Sequence, residues 1–195
     1  MQRWVVGVLA FVGGFVIMAL ELLGGRILAP YFGSSIYVWG SIITVFMLSL
    51  ALGYLLGGQA STRNPSLHRF AALFLLGAVL TYPLVMYGEP LMRWVFERIE
   101  DPRYGSLVAA AALFTLPTIV LGMLSPYAVR LVVRDTQHSG RVAGTLYFVS
   151  TLGSAGGTLA TSFYLVLWFE INTILNLLTA CLAACAAVGY VAGRR

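Results

Sequence analysis

Lysine is absent from this chain, and all twelve of its basic residues are arginine. Histidine and cysteine occur twice each and acidic side chains seven times, so charged residues make up only 10% of the 195 positions. These scarcities exclude most catalytic chemistry. His68 and His138 lie in polar links without metal-ligand spacing, no serine is paired with a plausible base, and no two carboxylates stand at a workable spacing. Cys181 and Cys185 sit one helical turn apart in an apolar run with no histidine or acid beside them. They read as small core residues and say nothing of redox compartment. The glycine-rich run 153–157 lacks both a preceding strand and a Lys-Ser/Thr ending, so it is no phosphate loop. Neither a cofactor nor a metal is expected.

What remains is apolar. Hydrophobic residues make up 59% of the chain and mean hydropathy is +0.89. Apolar runs exceed the roughly 18–20 residues a bilayer-spanning helix needs, and they recur throughout. The chain reads as a single all-α integral membrane domain with six transmembrane helices, over 4–23, 37–58, 70–87, 105–124, 142–168 and 171–192. The first run is long for a signal-peptide core, and the Glu-Leu-Leu-Gly-Gly-Arg that follows makes a poor cleavage site, so the first helix is expected to be retained.

A net charge of +5 suggests nucleic acid in a soluble protein; here it reflects loops that face anionic lipid headgroups, and no nucleic-acid partner is expected. The N-terminus, the second and fourth loops and the C-terminus carry Arg3, Arg63, Arg69, Arg130, Arg134, Arg141, Arg194 and Arg195 against the single acid Asp135. The opposite side carries Arg26, Arg93, Arg98 and Arg103 against Glu89, Glu97, Glu100, Asp101 and Glu170. Arginine excess marks the cytoplasmic side, which predicts cytoplasmic termini.

Glu21 and Arg26 are charges where the hydropathy demands lipid, at about 2.5–3.5 kcal/mol each at mid-helix. Five residues apart on a straight helix, they turn about 140° away from each other. Gly24 and Gly25 lie between them and Pro30 follows, so the helix is expected to loosen near Gly24, letting the two charges meet or line one cavity. A structural ion pair that locks helix packing is the competing reading. Tyr31, Tyr37 and Trp39 follow as aromatic walls that suit an ammonium, or equally as an outer interfacial belt. Glu21 stands roughly 25 Å into the predicted first span, which places it in the outer leaflet.

The segment 91–100 mixes Leu91, Trp94, Val95 and Phe96 with charges at helical spacing, predicting a short helix lying in the outer interface. A lid over a cavity is the alternative. Gly53 and Gly57 in the second span, and Gly153 and Gly157 in the fifth, have the small-residue spacing that lets helices pack closely.

Leu28-Ala-Pro30-Tyr31 closes the first span, and Leu124-Ser-Pro126-Tyr127 closes the fourth 96 positions later. The first span runs outward and the fourth inward, and a span dense in small residues follows each Pro-Tyr. This layout predicts a three-plus-three repeat of inverted topology.

The pattern Glu21-x4-Arg26-x3-Pro30-Tyr31-x-Gly33-x-Ser35-x-Tyr37-x-Trp39, continuing to Gly53-x3-Gly57-Gly58, resembles the membrane domain of the fused transporter-like/spermidine-synthase-like proteins. Those prokaryotic membrane proteins look like half of a major-facilitator fold, often joined to a cytosolic aminopropyltransferase-like domain. The resemblance spans all 195 residues and is most specific over 21–39. It implies a major-facilitator-like half in the cytoplasmic membrane of a prokaryote. The stretch 53–63 also resembles the facilitator loop between helices two and three, but Gln59 and Ala60 stand where that motif carries its Asp.

No strand–glycine-loop–helix unit and no acidic amine-binding pair occur in these residues, so spermidine-synthase activity is expected only through a separate domain or polypeptide. Two functions follow. One is binding or transport of a small charged solute, a polyamine or a zwitterion, with Glu21 as counter-charge and Arg26 favouring a ligand that carries both charges. The other is a non-transporting anchor for a cytosolic synthase-like protein, docked on the arginine-rich face. A transporting six-helix unit would pair as a homodimer.

Overall fold

The computed structural model describes residues 2–62, 64–133 and 139–194. Arg63, Arg134, Asp135, His138 and Arg195 of the charge and histidine readings lie outside the described residues. The chain runs through α1 (Gln2–Phe32), α2 (Ile36–Ala60), α3 (Leu67–Phe96), α4 (Pro102–Gly122), α5 (Leu124–Val132) and α6 (Ser139–Ala160). A π-helical turn (Thr161–Leu165) follows, then α7 (Val166–Trp168) and α8 (Ile171–Gly193). No strand occurs among the described residues.

Five helical stretches are long and apolar enough to cross a bilayer: Arg3–Phe32, Ile36–Ala60, Leu67–Phe96, Pro102–Val132 and Ile171–Gly193. Their outward faces carry large apolar side chains such as Met47, Leu48, Leu76, Val79, Leu116 and Val191, a surface too broad for water. The protein is an integral membrane protein. The segment predicted at 142–168 is helical too, but its glycine, serine and threonine content and its π-helical turn leave it outside those five.

Local chemistry sets the helix ends. Gly33 closes α1 in the left-handed conformation (φ +78°), its N–H donating to the Ala29 carbonyl at 2.9 Å. Ser66 caps α3 by accepting from the Arg69 N–H. Asp101 caps α4 by accepting from the Arg103 N–H at 2.9 Å, with Pro102 opening the helix behind it.

Two expectations about breaks are corrected. α1 continues unbroken through Gly24, Gly25 and Pro30, and the glycines are packing notches instead. A Cβ on Gly25 would stand 2.7 Å from the Trp39 ring, and one on Gly24 would stand 3.3 Å from Phe114. Residues 91–96 form no separate interfacial helix, because α3 carries on past Pro83 and Pro90 to Phe96. Each proline removes one backbone hydrogen bond, a loss that packed membrane helices tolerate. Pro126 does stand at a break: α4 ends at Gly122, and Pro126 occupies the first turn of α5, where no N–H is needed.

Packing follows the small residues. α1 lies along α6, with the Phe11 and Phe15 carbonyls directly under Gly153 and Gly157, and Ser154 donating to the Gly14 carbonyl at 3.3 Å. α2 lies along α4 in the same way, Gly53 on the Ile119 carbonyl and Gly57 on the Met123 backbone. The Ser41 and Ser106 hydroxyls join α2 to α4 across 3.1 Å. α3 pairs with α8, and α1 touches every other long helix. The aromatic core sits around Phe46–Phe114 (centroids 5.4 Å apart) and the stacked Phe70–Tyr127 pair (5.9 Å).

Candidate functional site

The two ends of the bundle differ in charge. Arg3, Arg69, Arg130, Arg141 and Arg194 belong to the end where His68 meets Tyr190 and the Tyr127 hydroxyl accepts from the Ser66 N–H. Glu89, Glu97, Glu100, Asp101 and Glu170 belong to the other, where Phe32 and Tyr31 pack on Phe96. At that end Arg93 pairs with Glu89 at 3.1 Å, and Arg103 with Asp101 at 2.6 Å.

Glu21 lies on the α1–α6 seam. It follows Gly14 by seven residues, two helical turns, and so shares the face that Gly14 presses on the Ser150 carbonyl. The side chain is half-buried, and neither of the ion pairs among the described residues includes it. Arg26 is exposed and turned elsewhere, its guanidinium donating to the Val166 carbonyl at 3.5 Å. The expected Glu21–Arg26 meeting does not occur. The physical reason is the intact helix: without loosening at Gly24, the five-residue spacing keeps the charges on different faces.

The seam register places an unusual backbone beside Glu21. Phe15 lies under Gly157 and Arg26 reaches Val166, so Glu21, between those contacts on α1, stands abreast of the π-helical turn Thr161–Leu165. Such turns open the regular ladder of helix hydrogen bonds and are frequent at functional sites. Thr161 follows Gly157 by one turn on the same face. It is wholly buried, and its hydroxyl has no hydrogen-bond partner among the described residues. A buried polar group in that state asks for an explanation. Sequence reasoning missed Thr161, because a π-helical turn leaves no residue signature.

The remaining predicted residues separate. Trp39 is half-buried with its ring on Gly25, one turn beyond Glu21 on α1. Tyr31 packs edge-on against Phe96, centroids 6.0 Å apart, and Tyr37 is 55% exposed. Both fit the outer aromatic belt better than the seam. The first span also proves longer than predicted, which moves Glu21 inward: it lies about 5 Å past the midpoint of Arg3–Phe32 at ~1.5 Å per residue.

Two openings lie elsewhere. A crevice of about 900 Å³ runs between α1 and α6 at the arginine-bearing end, and a cleft of about 510 Å³ lies between the end of α3 and Asn172. Neither is lined by Glu21, Arg26, Tyr31, Tyr37 or Trp39. Among the described residues, no three histidine, cysteine or acidic side chains gather as a metal site. Comparison of the chain with protein-family models, with curated proteins and with solved structures gives no match.

Proposed function

We propose that this protein is a six-helix, half-facilitator membrane unit that binds or carries a small cationic amine, with Glu21 as the counter-charge. One observation carries the reading: a half-buried carboxylate in an apolar span stands without an ion-pair partner among the described residues. An ionisable group in that position marks a ligand pathway by default. Arg26, turned to Val166, no longer cancels its field, so a cation is favoured over a zwitterion. Trp39 supplies a ring face for the ammonium, and the Thr161 hydroxyl an acceptor for its N–H groups. Polyamines are the class implied by the resemblance to the spermidine-synthase-like fusions.

The architecture in this reading takes Ser139–Trp168 as the sixth span, packed lengthwise on α1. Helix pairing supports the inverted repeat. The α1–α6 pair answers to α4–α2, α3–α4 answers to α8–α1, and α3 pairs with its own counterpart α8. Gly57 and Gly153 stand 96 positions apart, the spacing that also separates the two Pro-Tyr motifs, and each seats a helix backbone. By arginine excess both termini face the cytoplasm, in the inner membrane of a prokaryote.

The clustering of Arg3, Arg130, Arg141 and Arg194 at one end favours a second reading, an anchor for a separate synthase-like protein on that face. Thermal stability of the detergent-purified protein separates the two. Spermidine should raise the midpoint of the wild type by mass action and leave Glu21→Gln unmoved, with amino acids and nucleosides inert. Absence of any spermidine shift in the wild type would overturn the amine reading.

A further inference from the structure

We propose that the crevice between the first turns of α1 and α6 is a specific site for an anionic phospholipid, at the arginine-bearing end of the α1–α6 seam and away from Glu21. Arg3 and Arg141 hold the phosphate, and the apolar walls take an acyl chain. Both helices present the same sequence of chemistry along the crevice. Arg3 leads to Val8 and Phe11, and Arg141 leads to Leu146 and Val149, all lining the one opening. On each helix the last of these lies about 12 Å deeper than the arginine, at ~1.5 Å per residue. Because α1 and α6 run parallel, the two arginines stand at the same end and the two apolar walls face each other.

Charge and space select the ligand. Among the described residues no carboxylate lines the crevice, and neither guanidinium is in an ion pair. Basic pockets between membrane helices attract anionic headgroups, each arginine adding about 1 kcal/mol near the surface. A volume of about 900 Å³ exceeds what a phosphate ion needs, and its wall is mainly hydrocarbon. Gly7 borders this space with nothing within 4 Å of where its Cβ would lie, so the groove is open at that point. Val8 (59% exposed) and Phe11 (37%) face outward, which lets a chain slide in from the lipid phase. A head of negative charge with an apolar tail matches this gradient; a free anion uses only half of it.

The test is titration of the detergent-purified full chain with phosphatidylglycerol, read by native mass spectrometry. Phosphatidylcholine of the same chains and inorganic phosphate are the comparison arms. Phosphatidylglycerol should bind in preference to both. The double substitution Arg3→Gln/Arg141→Gln should weaken binding roughly 30-fold, the equivalent of two surface charges, while Arg3→Lys/Arg141→Lys should retain most of it. Gly7→Leu should fill the groove and abolish binding with no fall in the protein's own thermal midpoint, since a leucine there enters open space in a helix. Equal binding of the two lipids, capture of phosphate alone, or wild-type affinity in Gly7→Leu would each overturn the proposal.

Discussion

Arg26 donates to the Val166 carbonyl across 3.5 Å, and Glu21, five residues before it on the same helix, is left without an ion-pair partner among the described residues. A buried ion pair, once broken, costs roughly 3–5 kcal/mol. Here no such pair exists to break. A double-mutant cycle of Glu21→Gln and Arg26→Gln, read by thermal midpoints in detergent, should give a coupling within about 0.5 kcal/mol of zero. Coupling of several kcal/mol would restore the structural ion pair and remove the case for a free counter-charge.

Glycine positions divide sharply. Gly153→Ala and Gly157→Ala put a methyl group onto the carbonyls of Phe11 and Phe15, and should each destabilise by about 1–3 kcal/mol or more, as overpacking does. Gly144→Ala lies on the same helix with nothing within 4 Å, and should be neutral or stabilising by up to about 1 kcal/mol. Similar losses at all three positions would mean that helix propensity rather than close approach governs the seam.

Two hydroxyls make a second contrast. The Tyr127 hydroxyl accepts from the Ser66 N–H at 3.3 Å, so Tyr127→Phe should cost about 1 kcal/mol. The Thr161 hydroxyl has no partner among the described residues, so Thr161→Val should leave stability unchanged or slightly raised, because a buried unpaired polar atom is removed. Spermidine binding should weaken in the same Thr161→Val variant. A marked loss of stability there would reveal a partner for the hydroxyl.

Asp101 carries a pH dependence. The Arg103 side chain, then its backbone N–H, hold this carboxyl below its ordinary value of 3.8. A depressed folded-state value adds stability that is fully present above pH 3.8 and is lost as pH falls through the lower folded value. Asp101→Asn keeps a capping oxygen but loses the charge, so the difference in midpoint between wild type and variant should shrink on acidification from neutral pH to about 3. A constant difference across that range would show that the Asp101–Arg103 contact does not distinguish folded from unfolded chain.

The site was partly legible in the residues. Glu21 stands out because a carboxylate interrupts an apolar stretch, and Trp39 lies against Gly25, one turn further along α1. Arg26 looked like the partner of Glu21 because their closeness in sequence suggested closeness in space. That inference needed a break at Gly24, and glycine has two meanings in a membrane helix: a weak point, or a notch for a neighbour. The Trp39 ring and Phe114 select the notch. Residues 91–96 posed a similar ambiguity. Their mix of charges and apolar residues suggested a separate interfacial helix, yet α3 runs on, its last turn packing Phe96 against Tyr31 and Phe32.

Hydropathy over stretches longer than a bilayer is thick determined, by itself, that this is an all-helical membrane protein, because lipid leaves the backbone no other partners than its own. The caps at Gly33, Ser66 and Asp101 were likewise local matters, settled by side chains within a few residues of each helix end. The tertiary structure alone decided which helices pair, because small residues permit close approach without naming the partner: Gly153 and Gly157 meet Phe11 and Phe15, more than a hundred positions away. It alone separated Glu21 from Arg26 and set Thr161 in a π-helical turn abreast of the carboxylate, since burial and register arise only when two helices lie together.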